Sequence, residues 1–298
     1  MINIVEVGPR DGLQSEPEIL STDTKNKFIN LAIQAGLKRI EVASFVHPIK
    51  VPQMAGAEEL IATLPDSDEV SYIGLIMNER GLDRALSTKV HEIGMVVVST
   101  DTYNQKNQGV TTSESIKTWL DISKRAKQHG KVANVMVSSA FGCPYEGEVN
   151  LKKVIEICLR VMDGEPAELG IADSIGVAVP NQVEDFFGTL KSAIGVNIPL
   201  RCHLHNTRNT GLANAQAAIN SGVTFIDSSI GGIGGCPFAP AATGNIPTDD
   251  LLYMLSRSNI DTGVSLKKII AASNWLEDKL GREIPALLPK AGIFPIQG

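Results

Sequence analysis

Short apolar runs and amphipathic stretches alternate along the whole chain. Runs rich in Val and Ile predict strands over 2–7, 39–43, 70–76, 92–98, 132–138, 167–172, 200–205 and 225–229. Between them, apolar residues recur at helical spacing near 23–35, 52–64, 79–87, 113–129, 150–163, 181–195, 209–221 and 248–257, with one more helix near 265–280. In the first helix Phe28, Leu31, Ala32 and Ala35 form one buried face at i, i+3, i+4, i+7. Gly36, Gly130 and Gly222 each follow a helix and precede a strand, as helix-ending glycines do.

Eight strand-then-helix units imply parallel strands joined by right-handed crossovers, and that count favours a closed barrel over an open sheet. A dinucleotide-binding sheet would carry GxGxxG after its first strand; here that position reads Gly8-Pro9-Arg10-Asp11-Gly12. The expectation is an α/β protein, a (β/α)₈ TIM barrel forming a single catalytic domain over 1–298. The barrel would end near 257, with a C-terminal helical extension over 258–298.

Composition narrows the function. The chain has 298 residues, 43% hydrophobic and 20% charged, with a formal net charge of −6. A mildly acidic chain gives no electrostatic reason to expect nucleic acid as a partner. No apolar run approaches the roughly 18–20 residues that span a membrane, so no membrane partner is expected. The N-terminus reads directly as a strand rather than a signal peptide. Cys143, Cys158, Cys202 and Cys236 form no CxxC pair. A reducing, cytoplasmic setting is the simplest reading.

Active sites of such barrels occupy the C-terminal ends of the strands. The polar residues expected there are Arg10 and Asp11, Glu41, Asn78, Thr100 and Asp101, Ser138 and Ser139, Asp173, His203 and His205, then Asp227, Ser229, Cys236 and Asn245. His203-Leu204-His205 is the sharpest signal, because residues i and i+2 of a strand share a side. Two imidazoles with a carboxylate and an amide oxygen suit Mg²⁺ or Mn²⁺, with Zn²⁺ or Co²⁺ as alternatives. Two exposed loop histidines are the plainer reading. His91 and His129 read as solvated, and His47, in the loop after the second strand, as near the site. Gly231-Gly232-Ile233-Gly234-Gly235-Cys236-Pro237 reads equally well as a loop that closes with a proton donor and as tight turns around an inert thiol. It lacks the Lys-Ser/Thr ending of a phosphate-binding loop. Cys143 reads as structural.

Several stretches carry a resemblance. Glu6-Val7-Gly8-Pro9-Arg10-Asp11-Gly12-Leu13-Gln14 resembles the N-terminal signature of a metal-dependent lyase superfamily. Ile40 to Val46, Gly142 to Gly147, Asp173 to Val177, Gly231 to Ala239 and Ala242 to Asn245 are similar to its 3-hydroxy-3-methylglutaryl-CoA lyase branch. The resemblance runs in order over nearly the whole chain. It implies metal ligation by Asp11, His203, His205 and Asn245, and catalytic roles for Arg10, Glu41, Asp173, His203 and Cys236. Gln14, Asn78, Thr100 and Arg208 are the expected substrate contacts. The cofactor would be a divalent metal, Mg²⁺ or Mn²⁺ first, and the partner an acyl-CoA substrate. A homodimer stays open as the assembly. Three positions depart from the family pattern: Asn206-Thr207-Arg208 after the paired histidines, Pro48-Ile49-Lys50, and Met136 in place of a tyrosine.

The implied reaction is retro-Claisen cleavage of a short 3-hydroxyacyl-CoA. The substrate implied first is 3-hydroxy-3-methylglutaryl-CoA, giving acetyl-CoA and acetoacetate. Asp173 or His203 would take the hydroxyl proton, Arg10 would face the thioester oxygen, and Cys236 would protonate the enolate. A citramalyl-CoA or methylmalyl-CoA lyase is the near alternative, with Arg208 reading a carboxylate. An acyl-CoA condensing synthase, a metal-dependent hydrolase and a non-catalytic metal- or CoA-binding protein are more distant ones.

Overall fold

A computed structural model describes residues 2–195, 197–235 and 244–295. Eight parallel strands close into a barrel in sequence order: β1 Asn3–Glu6, β2 Arg39–Ser44, β3 Ser71–Ile76, β4 Glu92–Val98, β5 Val132–Ser138, β6 Leu169–Asp173, β7 Leu200–Leu204 and β8 Phe225–Ser228. Closure is direct, since Ile4 pairs with Ile226 and Val5 with Asp227. The helices that cover the strands are α1 Thr22–Ala35, α2 Ala57–Thr63, α3 Glu79–Leu86, α4 Asp101–Gln108, α5 Thr112–Gln128, α6 Leu151–Met162, α7 Pro180–Ile194, α8 Gly211–Asn220 and α9 Thr248–Arg257. Then α10 Leu266–Leu280 and α11 Leu288–Ala291 form the C-terminal extension. The fold is the expected TIM barrel.

Local chemistry explains the element ends. Ser21 caps α1 by accepting from the Thr24 amide at 3.2 Å, and Gly36 closes it at φ +104°. Thr111 and Glu114 form a reciprocal capping box at the start of α5. The buried face of α1 includes Phe28, Ala32 and Ala35. The Phe28 ring stacks on Trp275 of α10 at 6.3 Å, joining the extension to the first helix.

The structure corrects three expectations. The helix expected over 52–64 is broken into a 3₁₀ turn, Pro52–Met54, and α2, because Gly56 sits at φ +73° between them. Strand β7 ends at Leu204, and His205 instead makes an isolated antiparallel bridge to Asn245. Helix α4 was not expected: only Tyr103 and Asn104 of its eight residues are buried, so it has no apolar period. Asp101 opens this helix and accepts from the Thr112 amide at 2.8 Å, which makes it a structural residue.

Outward-facing strand residues join the large apolar core under the helices. The barrel interior is different. Its lower part holds a small apolar group, Val5, Val7 and Ile73 with Phe225. Charged side chains point in from β2, β4, β7 and β8 and from Glu168 just before β6, and they lead to the site.

Candidate metal and acyl-binding site

After β1 the chain makes one turn of π-helix, Gly8–Gly12, in which the Asp11 and Gly12 amides both return to the Val7 carbonyl at 2.8 and 3.1 Å. That turn carries Arg10 and Asp11 onto the mouth of the barrel. Arg10 Nη1 meets Asp11 Oδ1 at 2.6 Å, and its Nε donates to Glu41 on β2. His203 and His205 come up together from β7, with ring centroids 5.2 Å apart. Ligand atoms of Asp11, His203 and His205 all lie within 4.8 Å of one another.

Asn245 completes this group from the far side of the glycine-rich segment. Its Nδ2 donates to Asp11 Oδ2 at 2.9 Å and to the Ile233 carbonyl at 3.1 Å, which fixes the amide plane. Among the described residues its Oδ1 is buried with no partner, and so is His205 Nδ1. Orphaned acceptors of this kind, beside a carboxylate and a second imidazole, fit a cation. The peptide at Gly234, at φ +109°, packs so close that a side chain there would meet Asn245 Nδ2 at 2.7 Å and Gly12 Cα at 2.9 Å.

A buried ionic network supports these side chains from below. Asp227 Oδ2 lies 3.0 Å from His203 Nδ1, and both Asp227 oxygens are gripped by Arg201 at 2.5 and 2.9 Å. With a proton on Nδ1, His203 Nε2 is left facing Asp11 at 3.9 Å. Arg201 also approaches Glu41 at 3.5 Å and Glu168 at 3.7 Å. Glu168 in turn shares Arg39 with Glu92. Counting Asp11, Glu41, Glu92, Glu168 and Asp227 against Arg10, Arg39 and Arg201 leaves a formal surplus of two negative charges, which one divalent cation balances.

The electrostatics follow from these partners. Burial alone would raise Asp11, yet the Arg10 guanidinium and the two imidazoles hold it well below the usual carboxylate range. Burial pushes His205 down to about 4, aided by the neighbouring charge of His203, so it is neutral and able to ligate at neutral pH. Burial opposes charge on His203 as well, but the hydrogen bond to Asp227 and the carboxylates of Asp11 and Asp227 raise it overall. Burial raises Asp173.

A cavity of about 470 Å³ opens above and between these groups. Arg10, Asp11, Gln14, Glu41, His203 and His205 line it, as do Met136 and Gly235. His47 and Lys50 stand exposed where it meets solvent.

Other expected contacts fall elsewhere. Asn78 is exposed and caps α3, accepting from the Gly81 amide at 3.0 Å. Thr100 is buried at the start of α4 and donates to Cys143 Sγ at 3.1 Å, which also makes Cys143 structural. Arg208 is exposed and donates to the Ile175 and Gly176 carbonyls, both at 3.0 Å, so it braces the loop after β6. Asp173 is sealed from the cavity, with its oxygens accepting from the Val177 and Ala178 amides at 3.1 and 2.9 Å. Cys236 lies outside the described residues; Gly235 before it accepts from Ser15 Oγ at 2.9 Å. Arg201, Glu168, Arg39 and Glu92 were missed by the sequence reading. The period-2 rule that paired His203 with His205 also puts Arg201 on that face, and Arg39 with Glu41.

Comparison with known proteins adds identity to this geometry. The HMGL-like family pattern matches residues 1–276. The chain is 39% identical to the (R)-citramalyl-CoA lyase of Chloroflexus aurantiacus, over 99% of this chain and 96% of that protein. It is 38% identical to the hydroxymethylglutaryl-CoA lyase YngG of Bacillus subtilis, over 96% and 95% respectively. Among solved structures, it resembles an HMG-CoA lyase from Acinetobacter baumannii in complex with coenzyme A and 3-methylmalate. The TM-score is 0.95 at 34% identity, covering 100% of this chain and 97% of that one. Among the described residues, no helix is long and apolar enough to cross a membrane.

Proposed function

We propose, from the premise that this chain belongs to the HMGL-like family and is a carbon–carbon lyase, that it cleaves 3-hydroxy-3-methylglutaryl-CoA to acetyl-CoA and acetoacetate. The observation that carries this reading is the convergence of Asp11, His203 and His205 on one point beneath Arg10, with the Asn245 oxygen unpartnered beside them.

The four ligands offer only oxygen and nitrogen donors, which favours Mg²⁺ or Mn²⁺ as the cation. When bound, such a cation lowers the pKa of a coordinated hydroxyl and orients the substrate. The residues do the rest. Among the described residues, the ion pairs of Arg10 use Nε and Nη1, which leaves Nη2 to donate to the thioester oxygen as negative charge develops there. The C3 hydroxyl proton passes to Glu41 on the cavity wall, since Asp173 is closed off from the cavity and both ring nitrogens of His203 are engaged. As the C2–C3 bond breaks, C3 becomes a ketone and the electron pair moves to the thioester enolate. A proton then returns to C2, and Cys236 is the donor assigned from the family pattern. Asp173 and Arg208 act together on the loop after β6, one holding its amides and the other its carbonyls.

The second reading, cleavage of citramalyl-CoA, is favoured by the 39% identity to a lyase of that name. The test is a purified, metal-loaded enzyme assayed on 3-hydroxy-3-methylglutaryl-, citramalyl- and methylmalyl-CoA, with both products detected. Highest kcat/KM on the first supports the principal reading, highest on citramalyl-CoA supports the second, and no cleavage of any overturns both.

A further inference from the structure

The interior of a barrel of this kind is ordinarily filled by layers of side chains. Here it is not filled on one side. From β4, β5 and β6 the inward positions run Gly94 and Val96, Asn134 and Met136, then Glu168, Gly170 and Ala172, and all of these line the same cavity as the metal-site residues. Two of these inward positions are glycine. A Cβ built at Gly94 would lie 3.5 Å from Ile73 Cγ2 and 3.9 Å from Leu75 Cδ1, ordinary van der Waals contact, so a side chain fits there without displacing its neighbours. At Gly170 the room is taken by the end of Met136, whose Sδ and Cε would lie 2.5 and 2.6 Å from an added Cβ. Met136 is half-buried and unbranched, so it can swing out of that space.

The cavity therefore continues past the level of His203, down to Arg201 and Asn134. At its floor Asn134 Nδ2 donates to Glu92 at 2.7 Å, while its buried Oδ1 has no partner. The two flanks differ in chemistry. The β7–β8 and β1–β2 flank carries charge, whereas Leu75, Val96, Met136 and Ala172 form an apolar flank opposite it.

We infer that this apolar flank receives the C3 substituent of the substrate, and that it accepts unbranched substituents longer than methyl. This rests on the acyl-CoA lyase reading above. The substrate class is 3-hydroxyglutaryl-CoA thioesters with an extended alkyl group at C3. The chemistry is unchanged: the C3 hydroxyl loses its proton, the C2–C3 bond breaks, C2 regains a proton, and the products are acetyl-CoA and a 3-oxo acid. For the propyl substrate that acid is 3-oxohexanoate. Met136 is the movable wall, and Gly94 sets the depth.

Two measurements on the metal-loaded enzyme test the inference. The first compares kcat/KM for the 3-methyl and 3-propyl substrates in wild type, Gly94→Val and Met136→Phe. Wild type is expected to keep the propyl substrate within about tenfold of the methyl one. Either variant should lower the propyl-to-methyl ratio by about tenfold or more, since each fills the flank. The second measures Kd by calorimetry for 3-methyl- and 3-propylglutaryl-CoA, which lack the hydroxyl and cannot be cleaved. The propyl analogue should bind at least as tightly as the methyl one and lose that parity in Gly94→Val. Propyl binding more than tenfold weaker than methyl in wild type, or a ratio unchanged by both variants, overturns the inference. Failure to cleave any substrate while the propyl analogue still binds with parity overturns the lyase assignment and leaves the inferred pocket standing.

Discussion

Two groups of buried carboxyls sit within a few residues of each other in this fold, and they behave oppositely. Inside the barrel, Asp11, Glu92 and Asp227 each face an arginine, and each is held below the usual carboxylate range although burial pushes the other way. Just outside, under the root of the glycine-rich segment, Glu6 and Asp249 face backbone amides and hydroxyls, with no cation paired to them among the described residues. Burial pushes Glu6 up to about 8 and Asp249 to about 6. Depth alone therefore does not decide whether a carboxyl is charged; its partner does. The consequence is functional. The interior group stays ionised and can face a divalent cation, while the outer group, raised by burial, holds the Gly8, Ile230 and Gly231 amides.

The sharpest way to break this contrast is to remove an interior cation far from the ligands. Arg39 holds Glu92 through two nitrogens at 3.0 and 2.6 Å and Glu168 at 2.8 Å, and it lies over the Phe225 ring. Arg39→Met would leave two buried carboxyls without their main counter-charge. A loss of about 3–5 kcal/mol in unfolding free energy is expected. The unfolding midpoint in urea would measure it. A loss below about 1 kcal/mol would mean that the interior carboxyls do not depend on their arginines.

Arg10 tests the same contrast at the reacting centre. Arg10→Lys keeps a positive charge but loses the planar fork that reaches Asp11 and Glu41 together. The expected result is a fall in kcat of about 10²–10³ with metal content kept. If only KM moves, Arg10 binds ground state and transition state alike.

How much of this was legible in the sequence depends on which physical signal each residue left. The barrel was legible because strand and helix periods alternate through the whole chain. The cluster of Asp11, His203 and His205 was legible because the two histidines share a strand face and Asp11 follows the first strand. Asn78, Thr100 and Arg208 were expected at the site from their positions after strands, but their side chains turned to local backbone or to Cys143. Position in sequence places a residue at the rim; it does not say which way a loop side chain turns. The interior network was missed because Arg39, Glu92 and Arg201 lie within apolar strand runs, where a single charge reads as an exposed face. Helix α4 was missed for the reverse reason, having almost no apolar face to read.

Asp227 gives a smaller, more selective effect. Its carboxylate joins Arg201 to His203 Nδ1, so it orients a ligand without facing the ligand point itself. Asp227→Asn would weaken the grip on the His203 tautomer and lower metal affinity by about 10–100-fold. Metal titration followed by calorimetry reads this directly. Unchanged affinity with lost activity would move Asp227 from positioning the ligand to handling the proton.

The smallest effect is expected outside the barrel, at Glu6. Its Oε1 accepts from the Gly8 and Ile230 amides, both at 2.9 Å, and its Oε2 meets Thr248 Oγ1 at 2.8 Å. A protonated carboxyl can keep both amide bonds and donate to that hydroxyl, and a glutamine can do the same. Because its pKa rises from 4.5 to about 8 on folding, Glu6 holds a proton in the folded chain that the unfolded chain has already released. Its contribution to stability is complete below pH 4.5 and is lost as pH rises through 8. Glu6→Gln should then cost about 1 kcal/mol or less at pH 5. That cost should shrink with rising pH and reverse sign between the unfolded and folded pKa values, because each pH unit in that window costs the wild type about 1.4 kcal/mol and the variant has no proton to lose. Denaturant unfolding of both proteins at intervals from acid to alkaline pH measures the difference. A difference that stays constant across that range would show Glu6 to be ionised throughout, held by its three donors alone. The contrast between carboxyls inside and outside the barrel would then vanish at this residue.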